Sequence, residues 1–432
     1  MTLGAIADDF TGGTDVAVAF RRSGLRTVLL FGAPAADEPL PPHDAVVVAL
    51  KTRTIEPAEA VRQSVAAATW LRENGADQVY FKYCSTFDSR PTGNIGPVAD
   101  ALAALLGATR VVVAPSSPDH LRTQYMGTLF VDRAPLAESP MRHHPLTPMT
   151  DSSVPRLLEA QTSGGVALVD LRTVRAGAEQ VRGAVDAAAA GGARYVVVDA
   201  LTDDDLAEVG RAAVDDVLVT GAAGLAGGLG AARVAKLGLS PVPSKASSRS
   251  AAEDTTTVRA AVLAGSCSAR TLEQVERMRS EHPSFRLDAV ATPDSQGLAD
   301  AALAWYDAQP ANGPAALIYS SIAPAELARA QQVLGVERAS ELLETGMGLV
   351  ARGLVARGVS RLVIAGGETS GAVVTALDVR AAVMGEEAAP GVPWIYSTRP
   401  EPLELLLKSG NFGDPDLLVR SSSPAASERQ PA

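Results

Sequence analysis

Short apolar runs alternate with helix-forming stretches along almost the whole chain, and this alternation limits the fold more than any other feature. Runs at 3–7, 27–31, 45–50, 78–82 and 110–114, then 166–169, 195–198 and 217–220, read as buried strands. Stretches such as 57–72 and 95–106 lie between them with helical spacing. The pattern resumes with strands expected at 259–263, 315–319 and 361–365 and helices at 269–279 and 340–357. Strands that recur after intervening helices pair in parallel, with helices covering both faces. The expected class is α/β, in two domains, each a mostly parallel sheet flanked by helices. The stretch from Pro241 to Ser250, polar on through Thr257, interrupts the alternation and reads as a linker. The expected boundaries are 1–238, a linker at 239–257, 258–420, and a Ser/Pro/Ala-rich tail at 421–432 expected to be disordered.

Composition excludes several function classes. The net charge is −11 with no Lys/Arg cluster, which argues against nucleic acid as a partner. No apolar run is long enough to span a bilayer, so no membrane association is expected. The start, Met1 to Ala7 running into Asp8 and Asp9, lacks the basic and apolar regions of an export signal. Two distant cysteines, Cys84 and Cys267, form neither a disulfide framework nor a metal spacing. A cytoplasmic location with reduced thiols is expected.

Ligands of parallel sheets gather at the carboxyl ends of strands, and the chemically rich segments lie there. In the C-terminal half, Gly366-Gly367-Glu368-Thr369-Ser370-Gly371 links an apolar run to a helix start. Such a turn exposes backbone N–H groups at the positive end of a helix, which suits phosphate. Gly265-Ser266-Cys267-Ser268 repeats the arrangement without a Walker lysine. Lys408-Ser409-Gly410-Asn411-Phe412-Gly413 adds a third such loop, with a lysine that suits contact with a nucleotide. Glycines that merely cap or pack are the bland alternative for each loop alone.

The N-terminal half carries charge instead. Asp8 and Asp9 follow the first strand, able to accept hydrogen bonds from substrate hydroxyls or to act as a general base, or else to cap the next helix. Asp15 reads as part of that helix start. Lys51 and Arg53 follow the strand at 45–50 and suit an anionic substrate, or a solvated loop. Lys82 to Gly96 is dense in donors, acceptors and cations, including Asp88 and Arg90. That mixture fits a polyhydroxy acid, with a self-bonded loop as the alternative. Cys84 reads as a small buried side chain. His143 and His144 are adjacent, which is no zinc spacing. His144 is a candidate for substrate contact or a structural histidine in a Pro-rich loop.

These segments in this order resemble the four-carbon acid sugar kinase family over nearly the whole chain. The likeness rests on IADDFTGGTD, LKTRT, KYCSTFDSRPTGNIGPV, HPLTPMTD, GSCSART, GGETSGAVVTAL and LKSGNFG. HPLTPMTD and SGNFG most resemble the 3-oxo-tetronate kinase branch. The resemblance implies an N-terminal sugar-acid-binding domain and a C-terminal nucleotide-binding domain. It implies transfer of the γ-phosphoryl group of ATP, with Mg²⁺, to the terminal hydroxyl of a four-carbon sugar acid. It implies nucleotide contacts from Ser266, Ser268, Gly366, Gly367, Glu368, Thr369, Ser370 and Gly410. Asp9 and Asp8 are the catalytic candidates, Asp9 as the base. Lys51, Arg53, Lys82, Asp88, Arg90 and His144 are the substrate-binding ones. A homodimer is compatible with the family. The chain departs from it at Leu121-Arg122-Thr123, where relatives often carry Gly-Arg-Thr, and at Gly13, where alanine is more usual.

Rival readings make different demands. A dehydrogenase needs G-x-G-x-x-G with an acidic residue about 20 positions on, which has no good match here. A non-catalytic sugar-acid-binding protein needs no second phosphate-loop half. Within the kinase class the alternative is a D-threonate, L-threonate or D-erythronate 4-kinase.

Overall fold

The structure is a computed structural model describing residues 2–144, 147–239 and 258–423. The chain divides into two compact units, Met1–Pro243 and Ser244–Ala432. The expected linker, except for Leu239, and the tail beyond Ser423 lie outside the described residues. Ser421 and Ser422 close the last helix, Leu417–Ser422.

The first unit contains β1 (Thr2–Ala7), β2 (Thr27–Phe31), β3 (Ala45–Ala49), β4 (Ala76–Lys82), β5 (Val111–Ala114), β6 (Arg122–Tyr125), β7 (Thr128–Val131), β8 (Ala134–Pro135), β9 (Gly165–Val169), β10 (Ala193–Val198) and β11 (Leu218–Gly221). Eight of them form a sheet in the order β2-β3-β1-β4-β11-β5-β10-β9, parallel throughout. Central strands such as β3 are buried along their whole length, as their Val-rich sequences require when helices cover both faces. β2 and β3 lie on one side of β1, and the connection from β3 to β4 crosses to its other side. That is a topological switch point, where an open α/β sheet forms its crevice. β6, β7 and β8 form a small antiparallel sheet of their own. Buried Asp199 pins its first turn by accepting the Met126 and Gly127 N–H groups at 2.6 and 2.9 Å.

The second unit contains β12 (Ala260–Ala264), β13 (Ser284–Arg286), β14 (Ala316–Tyr319), β15 (Arg361–Ala365), β16 (Ala381–Ala389), β17 (Val392–Ser397) and β18 (Glu404–Lys408). Their order is β13-β14-β12-β15-β18-β17-β16. The first five pair in parallel, and β17 and β16 extend the sheet antiparallel. Val262, Leu317, Val363 and Leu406 from neighbouring strands pack with Val275, Met278 and Leu417 from helices into one core. β12, flanked by β14 and β15, is the switch point here. Among the described residues no helix is long and apolar enough to cross a membrane.

Candidate active site

In the first unit the segments after β1, β3 and β4 meet. The Asp8 N–H donates to the Lys82 carbonyl at 3.1 Å, and the Thr52 and Arg53 N–H groups donate to the Asp8 carbonyl at 2.9 and 3.2 Å. Asn94, just before the helix Ile95–Leu106, reaches back and donates to the carbonyls of Thr52 and Ile55 at 2.6 and 3.0 Å. This backbone clamp fixes the side chains. Arg53 Nε and Nη2 grip the two Asp8 oxygens at 2.9 and 2.8 Å, and Nη2 also reaches Asp9 Oδ1 at 2.7 Å. Asp9 Oδ1 in turn accepts the Gly12 N–H at 2.8 Å, capping the helix Phe10–Arg22. Burial works against the Arg53 charge, but Asp8 and Asp9 outweigh it and hold the guanidinium well above its ordinary pKa.

The segment after β4 is tightly folded. Lys82 is buried and donates to the Tyr83 carbonyl at 2.7 Å, which uses one of its three N–H bonds. Phe87 is fully buried at a φ of 50°, held edge-on against Tyr83 with ring centroids 5.4 Å apart. Such an outlier persists only where the surroundings over-determine it. Asp88 is also buried, and its Oδ1 has no hydrogen-bond partner. Cys84 is half-buried, and burial pushes its thiol up to about 11, so it is no nucleophile at neutral pH.

Lys51 is exposed, with its ammonium 4.8 Å from the centre of the Phe10 ring, and Arg90 is exposed. His144 Nδ1 accepts from Thr147 N–H at 3.1 Å and meets its hydroxyl at 2.9 Å, which orders its own loop. Asp15 lies inside the helix, as its sequence position suggested. It is half-buried on the Asp9-capped helix, and Lys82, His120, Asp9 and Arg53 all act on its charge.

In the second unit β12, β15 and β18 lie side by side, and their three loops converge. The Gly265 and Ser266 N–H groups donate to the Ala365 carbonyl at 2.9 and 3.2 Å, and the Gly366 N–H donates to the Lys408 carbonyl at 2.8 Å. Ser268 caps the helix Ala269–Arg279 and donates to the Gly410 carbonyl at 2.6 Å. The Thr271 hydroxyl and the Lys408 ammonium reach the same carbonyl at 2.8 and 2.7 Å. At this meeting point a Cβ on Gly410 would lie 2.8 Å from Ser266 Oγ and 3.0 Å from Ser268 Oγ. Gly366 has a φ of 132°, closed to side-chain-bearing residues, and opens the helix Gly367–Ala376. Ser370 Oγ is buried there without a partner. A cavity of about 460 Å³ opens beside the loops, lined among others by Gly265, Cys267, Ser320, Glu368 and Thr369. Backbone N–H groups at two helix starts, hydroxyls and glycine-only clearances make a cradle that fits a phosphate chain.

The burial of Lys408 and its bond to Thr271 were not legible in the sequence. Lys408 is 1% exposed, and among the described residues no carboxylate lies within ion-pair distance of it. Burial and, after it, the charge of Arg270 push its pKa down to about 8. Thr271 accepts from Lys408 at 2.8 Å and passes a hydrogen bond on to Gly410.

Comparison with known proteins bears on both halves. Residues 3–229 match the family model of a sugar-binding N-terminal domain, and residues 261–418 match that of a nucleotide-binding C-terminal domain. The chain is 46% identical over 417 residues to a 3-oxo-tetronate kinase of Cupriavidus necator, covering 96% of this chain and 95% of the relative. It is 45% identical over 423 residues to a 3-oxo-tetronate kinase of Methylobacterium radiotolerans, covering 98% of each. A crystal structure of a Salmonella typhimurium LT2 protein superposes with a TM-score of 0.88 at 41% identity, covering 97% of this chain and 98% of that one.

Proposed function

The chain belongs to the four-carbon acid sugar kinase family, and from that premise we propose that it transfers the γ-phosphoryl group of ATP to the C4 hydroxyl of 3-oxo-tetronate, giving 3-oxo-tetronate 4-phosphate. It is a phosphotransferase with an alcohol group as acceptor. One observation carries the reading: three strand-end loops converge at Gly366 and Gly410 in the half that matches a nucleotide-binding model. The choice of acceptor rests on the names of relatives with near-full-length similarity.

Phosphoryl transfer asks a protein for positioning and charge neutralisation more than for covalent chemistry. On the donor side, Ser266, Ser268 and the segment Gly366 to Ser370 supply N–H and hydroxyl donors to the phosphates. Lys408 supplies positive charge beneath Gly410. Magnesium would enter with the nucleotide and spread its phosphate charge. Among the described residues no group of three His, Cys, Asp or Glu side chains could hold a metal, and Mg²⁺ bound mainly through phosphates needs no such cage. On the acceptor side, Lys82 has two N–H bonds left for a carboxylate, and Arg53 stands beside it.

The test is coupled ADP release with ATP, Mg²⁺ and a panel of four-carbon acids. Turnover confined to a 3-oxo acid is the expected result. Preference for D-threonate, L-threonate or D-erythronate moves the substrate within the family. No ADP above background with any acid returns the chain to the sugar-acid-binding reading.

A further inference from the structure

A kinase of this kind needs a group to take the proton of the attacking hydroxyl, and the two carboxylates at the end of β1 already accept bonds from within the protein. Both oxygens of Asp8 are held by the Arg53 fork. Asp9 Oδ1 accepts from both Arg53 and the Gly12 N–H. Oxygens that already accept from a guanidinium and a backbone N–H have fewer lone pairs open to a substrate hydroxyl. Asp88 Oδ1 is unpartnered but sealed from solvent.

A third carboxylate lies along the same helix. Residues three apart share a helix face, so Asp9, Gly12 and Asp15 follow one another along one line of the helix Phe10–Arg22. The place on that line where a side chain would stand at Gly12 is taken. A Cβ there would lie 2.4 Å from Asp9 Oδ1 and 2.9 Å from Lys82 Nζ. The ammonium of Lys82 therefore lies against the helix at Gly12, and its charge acts on Asp15. Among the described residues no group donates a hydrogen bond to the Asp15 carboxylate, and the residue is half-buried. His120, in the turn Pro118–His120 after β5, faces it from another strand end.

We propose that Asp15, one turn beyond Gly12 on the face that carries Asp9 and Lys82, is the general base for the acceptor hydroxyl. Asp8 and Asp9 then act as positioning residues, through Arg53 and the helix cap. The proposal rests on the kinase reading above. In the step, the hydroxyl oxygen forms a bond to the γ-phosphorus and the bond from that phosphorus to the β,γ-bridging oxygen breaks. ADP leaves with the electron pair, and the hydroxyl proton passes to an Asp15 oxygen and then to solvent. Burial raises the Asp15 carboxyl above the usual carboxylate range, against the opposing pull of Lys82 and His120 and with the help of Asp9. A base with raised affinity for the proton suits this transfer.

The experiment compares wild type, Asp15→Asn, Asp15→Glu and Asp9→Asn with ATP, Mg²⁺ and 3-oxo-tetronate, measuring kcat against pH, KM for both substrates and thermal stability. Asp15→Asn is expected to lower kcat by ~100-fold or more with KM for ATP unchanged. It should also abolish the acid limb of the wild-type pH profile. Asp15→Glu, which keeps a carboxylate, should retain part of kcat and a shifted acid limb, and it preserves the test should the amide variant fold poorly. Asp15→Asn with kcat within threefold of wild type and its acid limb intact would overturn the proposal while leaving the kinase reading standing. A wild type that releases no ADP overturns both.

Discussion

The two halves share one architecture, a parallel sheet with its site at a switch point, yet they prepare for their ligands by different physics. In the second unit the proposed ligand contacts are backbone N–H groups and hydroxyls around glycines, with one buried ammonium beneath. In the first unit they are charged side chains bound to one another, with Arg53 holding Asp8 and Asp9 together. Apart from the buried Ser370 hydroxyl and Lys408 ammonium, a cradle of backbone N–H groups and hydroxyls costs the free protein little, because its groups carry no net charge. A cluster of partly buried charges is different, since each charge depends on its partner. The donor site is thus separable from the fold, whereas the acceptor site is part of what holds the first unit together.

The sharpest way to break that contrast is to remove one group from each side. Arg53→Ala leaves Asp8, whose side chain is 8% exposed, without its counter-charge. The expected loss is about 3 kcal/mol of unfolding free energy together with a fall in turnover of ~100-fold or more, as the strand-end segments lose their alignment. Gly410→Ala drives a methyl against Ser266 and Ser268. It should weaken nucleotide binding ~10-fold or more, about 1.4 kcal/mol, with little change in melting temperature. Denaturant melts and nucleotide titrations on both variants check this. Equal destabilisation by the two substitutions would erase the distinction.

A subtler break uses pH on the one charge of the donor side. Lys408 has a folded pKa of about 8 against an ordinary 10.5, so between these values the unfolded chain binds more protons than the folded one. Stability of the nucleotide-free protein should therefore rise with pH across that window, by at most about 3 kcal/mol. Nucleotide affinity should move the other way, falling up to ~10-fold per pH unit above 8 as the ammonium is lost. Binding near pH 8.5 should take up a proton, visible as a calorimetric heat that depends on the buffer. Lys408→Met should remove all three effects. Affinity that is flat from pH 7 to 9.5 would show that Lys408 serves only the loop.

How much of this was legible follows the same division. Strands at 27–31 and 361–365 and helices at 95–106 and 269–279 fall where periodicity puts them, because runs buried on both faces and capped amphipathic helices leave clear signals. β16 carries Gly385, Glu386 and Glu387 among its alanines and gives no strand pattern. The strands β6 to β8 are too short to show a period. The long helix Val336–Ala356 begins earlier than 340, straight after Gly335, whose φ of 81° separates it from the helix before. Residues of the site were visible as types at strand ends. Their pairings were not, since sequence cannot say that Arg53 turns inward to Asp8 while Lys51, two positions away, lies over Phe10. Asp15 was hidden by its place inside a helix, although the spacing Asp9, Gly12, Asp15 held the clue. Lys408 stood in a loop motif, but nothing in the motif revealed that it is buried.

The smallest effect tests a place where the chain departs from its relatives. Leu121 stands where glycine is expected from the family pattern, and it adopts φ 60° and ψ 36° at the end of the turn Pro118–His120. A left-handed residue with a Cβ costs roughly 1–2 kcal/mol, and Leu121 recovers little by burial, being 58% exposed. Leu121→Gly relieves that strain and adds the backbone entropy of glycine to the unfolded chain, a cost of roughly 0.5–1 kcal/mol. The net expectation is a gain of about 0.5–1 kcal/mol, read as a melting temperature higher by ~1–3 °C. Turnover should not change, because His120 and Arg122 are held by other bonds, His120 to Ser117 and Arg122 to the His120 carbonyl. A loss of stability would mean that the leucine side chain is covered in solution. A change in acceptor KM would mean that the turn is set by residue 121 itself, which would draw this exposed corner into the charge-coupled half of the comparison.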